Sequence, residues 1–84
     1  MSAYDVYIHA DLLDRMPKAE SDQAAIMKFI RALATQPHAR GDFTEKDTAL
    51  RPQQVKVIGS HAITYWTDNA VRKVMVVDIG DADC

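Results

Sequence analysis

VKVIGSHAITYWTDNAVRKVMVVDI, residues 55–79, reads as three β-strands in close succession. Val55 to Ile58 is β-branched and stops at Gly59. Ala62 to Thr67 is rich in aromatic and β-branched residues and stops at Asp68-Asn69, a pair that tolerates the left-handed conformation of a tight hairpin turn. Val71 to Ile79 follows, and its Val74-Met75-Val76-Val77 run predicts a central strand covered on both faces. Strands joined by turns this short pair antiparallel. The stretch therefore predicts a three-stranded antiparallel meander.

Working upstream, residues 37–54 (PHARGDFTEKDTALRPQQ) are polar for 18 positions. A structureless loop of that length is unusual in a compact domain, so it is functional or hides a short strand. Phe43 and Leu50 are its large apolar residues and are expected to pin it to the core. Before it, Ile26, Phe29, Ile30, Leu33 and Ala34 fall at i, i+3, i+4, i+7 and i+8, the apolar stripe of a helix. Ser21 is the expected N-cap, Asp22 suits the helix dipole, and Pro37 marks the exit. Leu12, Leu13 and Met16 sit at helical spacing in a shorter helix from Ala10, which Pro17 ends. Tyr4 to His9 alternates and reads as a first strand; pairing it with the last strand would place the best-covered strands in the middle. The order is strand, two-helix hairpin, three-stranded meander: an α+β architecture with the helices packed on one sheet face.

With 84 residues, the chain is one domain, 1–84, burying roughly 60–65% of its unfolded surface. Hydrophobic residues at 48% and charged residues at 26% exclude a disordered chain. No apolar run reaches the roughly 18 residues of a membrane span, and the start MSAYDVYIHADLL lacks a signal-peptide pattern. The single Cys84 makes no internal disulfide, so a reducing cytoplasmic setting is expected. Net charge is −2, which gives no whole-chain case for nucleic acid. The stretch from Arg40 to Lys73 is more basic, with six cations against four acids.

Chemistry has few candidates. His9, His38 and His61 match no metal-ligand spacing, and no second Cys is present, so neither metal nor cofactor is expected. No glycine-rich phosphate loop or serine nucleophile elbow occurs. The best group is Lys56 on the first meander strand with His61 opening the next and Tyr65 four residues on, on the same face as His61 and Ile63 by period-2 alternation. Arg51 and Lys46, in the long loop, are within reach of that sheet. A histidine moving protons, with lysine and arginine on a developing phosphorane, supports attack of a ribose 2′-hydroxyl on its own phosphate. The same residues also read as a strand-edge histidine and a core tyrosine. Tyr65 and Trp66 point to opposite faces, so they do not stack on one ligand and one of them is core.

The segment Lys56-Val57-Ile58-Gly59-Ser60-His61-Ala62-Ile63-Thr64-Tyr65, then Asp68 and Val74 to Gly80, resembles the RelE/ParE superfamily of bacterial toxins. Leu33, Pro37 and Gly41 are similar to its passage out of the second helix. The resemblance spans essentially the whole chain. It implies a small sheet carrying two N-terminal helices, and a toxin held inactive by a cognate antitoxin. The RelE-like branch cleaves mRNA in the ribosome; the ParE-like branch inhibits DNA gyrase. On the RNA-cleaving reading, the resemblance and the site chemistry together make His61, Lys56 and Arg51 the catalytic candidates and Lys46, Arg72 and Lys73 the RNA contacts. Leu12, Leu13 and Met16 are candidates for a cleft that takes an antitoxin's amphipathic helix or extended segment, and read also as core.

The departures are specific. The aromatic-arginine pair expected on the second meander strand is His61-Ala62 here. The arginine expected beyond the last glycine is replaced by Asp81-Ala82-Asp83, and the family's C-terminal tyrosine has no counterpart before Cys84. Two functions follow as expectations: a metal-independent, ribosome-dependent endoribonuclease that inhibits translation, or a gyrase inhibitor or non-catalytic toxin-fold binding module.

Overall fold

The computed structural model describes residues 3–46 and 48–82; Asp83 and Cys84 lie outside them. The elements are β1 (Asp5–Ile8), α1 (Ala10–Leu13), α2 (Glu20–Ala32), β2 (Phe43–Lys46), β3 (Pro52–Ile58), β4 (His61–Asp68) and β5 (Lys73–Asp81). They form one sheet in the order β1-β5-β4-β3-β2. β1 runs parallel to β5, and every other neighbouring pair is antiparallel. The first strand joins the last, the pairing that puts the best-covered strands in the middle. The Val74–Val77 run is not covered on both faces as expected, because the helices pack on one side alone and Val77 is 39% exposed. The expected three-stranded meander is the centre of a larger, five-stranded mixed sheet.

The helices lie on one face. Ile26, Ile30 and Leu33 of the apolar stripe, with Leu12 of α1, pack on Ile63, Tyr65, Val74, Val76 and Ile79. Each such side chain contributes about 1.5–3 kcal/mol of transfer free energy, which makes this layer the main source of stability. Tyr65 is fully buried, and its hydroxyl donates to the Ala39 carbonyl at 2.8 Å. Its ring meets Phe29 edge-on, with centroids 5.4 Å apart.

Several local expectations change. α2 begins at Glu20, capped by Ala19 without a side-chain bond, so Ser21 is a first-turn residue rather than the N-cap. Glu20 and Asp22 together face the positive helix end. α1 is a single turn capped by His9, and weaker i-to-i+3 bonds carry it on to Met16. The polar stretch hides β2. Gly41 lets the chain press against β3: a Cβ there would fall on the Val55 carbonyl, 2.6 Å from its carbon. Asp42 then extends the ladder, its amide donating to Val55 O and its carboxylate accepting from Val57 N, both at 2.7 Å. The stretch is thus held by backbone pairing. Phe43 and Leu50 do not pin it, being 48% and 73% exposed. The β4–β5 connection is longer than an Asp68-Asn69 turn. Its left-handed residue is Arg72 (φ 54°), and the Asp68 carboxylate holds Ala70 N.

Candidate functional site

Register sorts the candidate residues onto two faces. Lys56 pairs with Ile63, and His61 with Ile58, which puts both on the helix-bearing face in neighbouring rows. His61 is held between sheet and α2, its side chain 16% exposed and Nε2 3.9 Å from Asp22 Oδ2. Lys56 Nζ lies 3.6 Å from Asp42 Oδ1. Each cation or potential cation is therefore met by a carboxylate of the same chain.

Arg51 is on the other face. Its guanidinium stacks over Trp66 at 4.2 Å from the ring centroid. The three catalytic candidates therefore do not converge as expected: odd residues of β3 face away from the helices, and even ones toward them. Lys46 pairs with Pro52 at the tip of the β2–β3 hairpin. Arg72 sits in the β4–β5 connection, and Lys73, opposite Asp68, lies over Tyr7 at 4.7 Å from its centroid. Lys46, Arg51, Arg72 and Lys73 thus gather at the Asp68 end of the sheet, whereas His61 opens β4 at the other. Seven residue steps at about 3.3 Å separate those ends by about 23 Å. One phosphate cannot touch both.

The helix-free face holds what the sequence reading missed. Trp66, Met75 and Tyr7 stand in one row across β4, β5 and β1, with Arg51 and Lys73 over the two aromatic rings. The signal was present in the period-2 pattern, but it needed the β1–β5 register to be read. At the other end of this face lies a pocket of about 210 Å³. Its floor is Val55, Val57, Ala62 and Thr64, and its rim carries Glu45, Asp78 and Asp81. Ala62, where the family resemblance expects an arginine, therefore faces apolar and acidic neighbours.

The partner-binding candidates also divide. Leu12 is buried in the core. Leu13, 53% exposed, and Met16 line an outer groove of about 570 Å³ with Ala24 and Met27, edged by Glu20, Gln23 and Arg31. Among the described residues no three His, Cys, Asp or Glu side chains are grouped to hold a metal ion. Burial, and then the Asp42 charge, push the Tyr65 hydroxyl above its ordinary range.

A five-stranded mixed sheet with two helices on one side matches the fold of RelE-type toxins. RelE in the archaeal RelE–RelB complex of Pyrococcus horikoshii superposes with a TM-score of 0.80 at 13% identity, over 96% of this chain and 97% of that one. An E. coli RelE carrying two arginine-to-alanine substitutions, in the free state, gives 0.71 at 15% identity over 96% and 85%. The Mycobacterium tuberculosis toxin–antitoxin complex RelBE2 gives 0.66 at 17% identity over 94% and 98%. No family model matches the sequence, nor does any curated protein. At these identities the likeness is one of fold.

Proposed function

We propose that this chain is the toxin member of a type II toxin–antitoxin pair, acting in the cytoplasm and held by a cognate antitoxin. The observation that carries the reading is the end-to-end match to RelE as solved in its RelB complex. The groove of Leu13, Met16, Ala24 and Met27 supports it, because an amphipathic helix can set apolar side chains on these residues and polar ones against the Glu20, Gln23 and Arg31 that make up much of the lining. No helix among the described residues is long and apolar enough to cross a membrane.

The side chains favour action by binding, on DNA gyrase or another protein target, over RNA cleavage. Ala62 puts no cation on the floor of its pocket, and Arg15, the cation met by the acidic rim, is engaged by Asp78. A second reading, ribosome-dependent mRNA cleavage that inhibits translation, draws on one feature. His61 has a carboxylate 3.9 Å away and Lys56 in the neighbouring row, which is the material of a general base and a phosphate contact. Arg51 and the hairpin-end cations would then hold RNA away from the reacting atoms.

Two assays decide. Induced expression in a bacterial host is expected to arrest growth; normal growth with soluble, folded protein sinks the toxin reading. Purified chain added to ribosomes programmed with a defined mRNA is expected to leave the message intact while inhibiting supercoiling by gyrase. Cleavage at the decoding-site codon, lost in a folded His61→Ala variant, would establish the second reading instead.

A further inference from the structure

Register divides the helix-free face into rows of unlike height. One row crosses it through Trp66, Met75 and Tyr7. The next carries Phe43, Val55, Thr64 and Asp78, and the one beyond it Val57, Ala62 and Gly80. Across β4 and β5 the first of these rows is bulky and the last is nearly bare. Trp66 and Ala62 each lie two residues from Thr64, so the middle row is equidistant from both. The face also keeps aromatic rings in water, with Tyr7 44% and Phe43 48% exposed.

Charge follows the same division. Arg51 and Lys73 lie over the rings of Trp66 and Tyr7. Asp68, opposite Lys73, has its carboxylate on Ala70 N. The small row is the floor of the pocket of about 210 Å³ whose rim carries Glu45, Asp78 and Asp81. A polyanion laid along these strands is drawn to one end and repelled at the other, whereas a second copy turned end for end meets the opposite charge at both.

We propose that this face is the interface of a symmetric homodimer, related by a twofold axis lying across the strands along the Phe43–Asp78 row. The axis sets Trp66 and Met75 of each copy on Ala62 and Gly80 of the other, bulk over hollow, and carries Arg51 with Trp66 to the acidic rim. An interface of this kind uses one self-complementary patch twice. Two sheets stacked so lie about 10 Å apart with their strands within about 30° of one another. Phe43 meets its own copy at the axis, where aromatic rings pack well. Asp78 meets its copy there too, each carboxylate keeping Arg15 as its counter-charge at 2.6 Å. β1 ends at Ile8, so the Tyr7 ring finds room beside Gly80 of the other copy. Five strands about 4.8 Å apart and eight residues long make a face of roughly 20 by 26 Å, about 500 Å² per copy. The pair then buries about 1,000 Å², the lower limit for a specific interface. Association is accordingly weak, and dilute chain, as in an unfolding assay, is monomeric. The inference stands on this geometry and holds whether or not the chain is a toxin.

The test is sedimentation equilibrium of the full chain from micromolar to millimolar concentration, with tryptophan fluorescence over the same range. The mass is expected to rise from monomer to dimer, and the emission of Trp66, the chain's one tryptophan, to move to shorter wavelength with it. Trp66→Ala removes the knob and Ala62→Leu fills the hollow, and each is expected to weaken association by about tenfold or more. Arg51→Glu and Asp81→Arg, each alone, weaken it as well. An equimolar mixture of those two variants is expected to dimerise again, because every rim then meets an opposite charge. Circular dichroism checks folding; were Ala62→Leu unfolded, the mixture still decides, since misfolded chains do not rescue one another. A monomer at every concentration overturns the proposal, as does a dimer indifferent to both Trp66→Ala and Ala62→Leu. A mixture no tighter than either variant alone overturns the end-for-end arrangement. A monomer that arrests growth leaves the toxin reading intact, and a dimer that does not arrest growth leaves the interface without it.

Discussion

Replacing Tyr65 by Phe removes one oxygen from the centre of the molecule and leaves its packing in place. The ring stays fully buried against Phe29. What is lost is the hydrogen bond to the Ala39 carbonyl, which ties β4 to the chain leaving α2. A typical bond of this kind contributes about 1 kcal/mol, and leaving the half-buried acceptor unmet adds a cost at the lower end of about 1–3 kcal/mol. About 2 kcal/mol is the expected loss, or about 8–16 °C in melting temperature for a domain of this size. The pH dependence supplies a second, independent readout. The Tyr65 pKa is raised in the folded chain, first by burial and then by Asp42. Between the unfolded and folded values the native state therefore holds the proton that the unfolded state has released. That contribution is complete below pH of about 10 and is lost as pH rises toward the folded pKa. Urea unfolding followed by circular dichroism at pH 7 and then from pH 9 upward measures both effects. Lysine titration affects both proteins alike, so the difference between them isolates Tyr65. The variant should start lower and decline less steeply. Equal stability at pH 7, with the same alkaline slope in both proteins, would refute the reasoning.

Gly41→Ala is expected to cost about 1–3 kcal/mol through overpacking, because the added Cβ meets the backbone of Val55. Amide exchange at Asp42 and Val57 should quicken with it, and unchanged exchange would count against the close approach. Ile63→Ala, in the core, should cost about 2–5 kcal/mol. Phe43→Ala, on the exposed edge strand, should stay within about 0.5 kcal/mol. Urea midpoints at constant m-value separate the two, and a large loss in Phe43→Ala would mean that the stretch is pinned by side chains after all.

Much of the fold was legible because β-branched runs and a clean 3.6-residue stripe specify elements directly. Val74 to Val77, apolar throughout, pointed to the middle of the sheet, and β5 lies there, between β1 and β4. β2 was not legible. Phe43-Thr44-Glu45-Lys46 has no apolar alternation, since neither of its faces is buried, and it is a strand through pairing with β3. Ser21 looked like a cap because capping residues carry a strong signal, but the helix starts one residue before it. The site was less legible than the fold. Alternation placed His61 with Ile63 and Tyr65, but Lys56 joined them only once the β3–β4 register was known, and Arg51 was drawn toward them only by nearness in sequence. Whether a loop cation lands on one face or the other depends on strand parity, and parity depends on where β3 begins. Three residues before Val55, that start was hidden by Pro52 and two glutamines.

Face and distance together weigh on the choice between cleavage and binding. General acid–base work needs its group within hydrogen-bond reach of the reacting atom, so the cations about 23 Å along β4 cannot serve a phosphate held at His61. Lys56 alone remains, and its ammonium already has the Asp42 carboxylate 3.6 Å away. A phosphate approaching that ammonium shares it with Asp42. At about 4 Å two unit charges interact by about 1 kcal/mol in water and about 4 kcal/mol near a protein surface, and by less at greater separation, so repulsion from Asp42 takes back part of the attraction to Lys56. The opposite face makes the same point with different residues. Where the resemblance expects an arginine, Ala62 leaves an apolar floor ringed by Glu45, Asp78 and Asp81. Both places where a message could be cut present carboxylates, of which Asp78 is met by Arg15. The groove beside α1 instead offers Leu13, Met16 and Met27 with Glu20, Gln23 and Arg31 at its edge, charges of both signs that a protein chain can match. The physical chemistry of this particular sequence therefore weighs toward protein recognition.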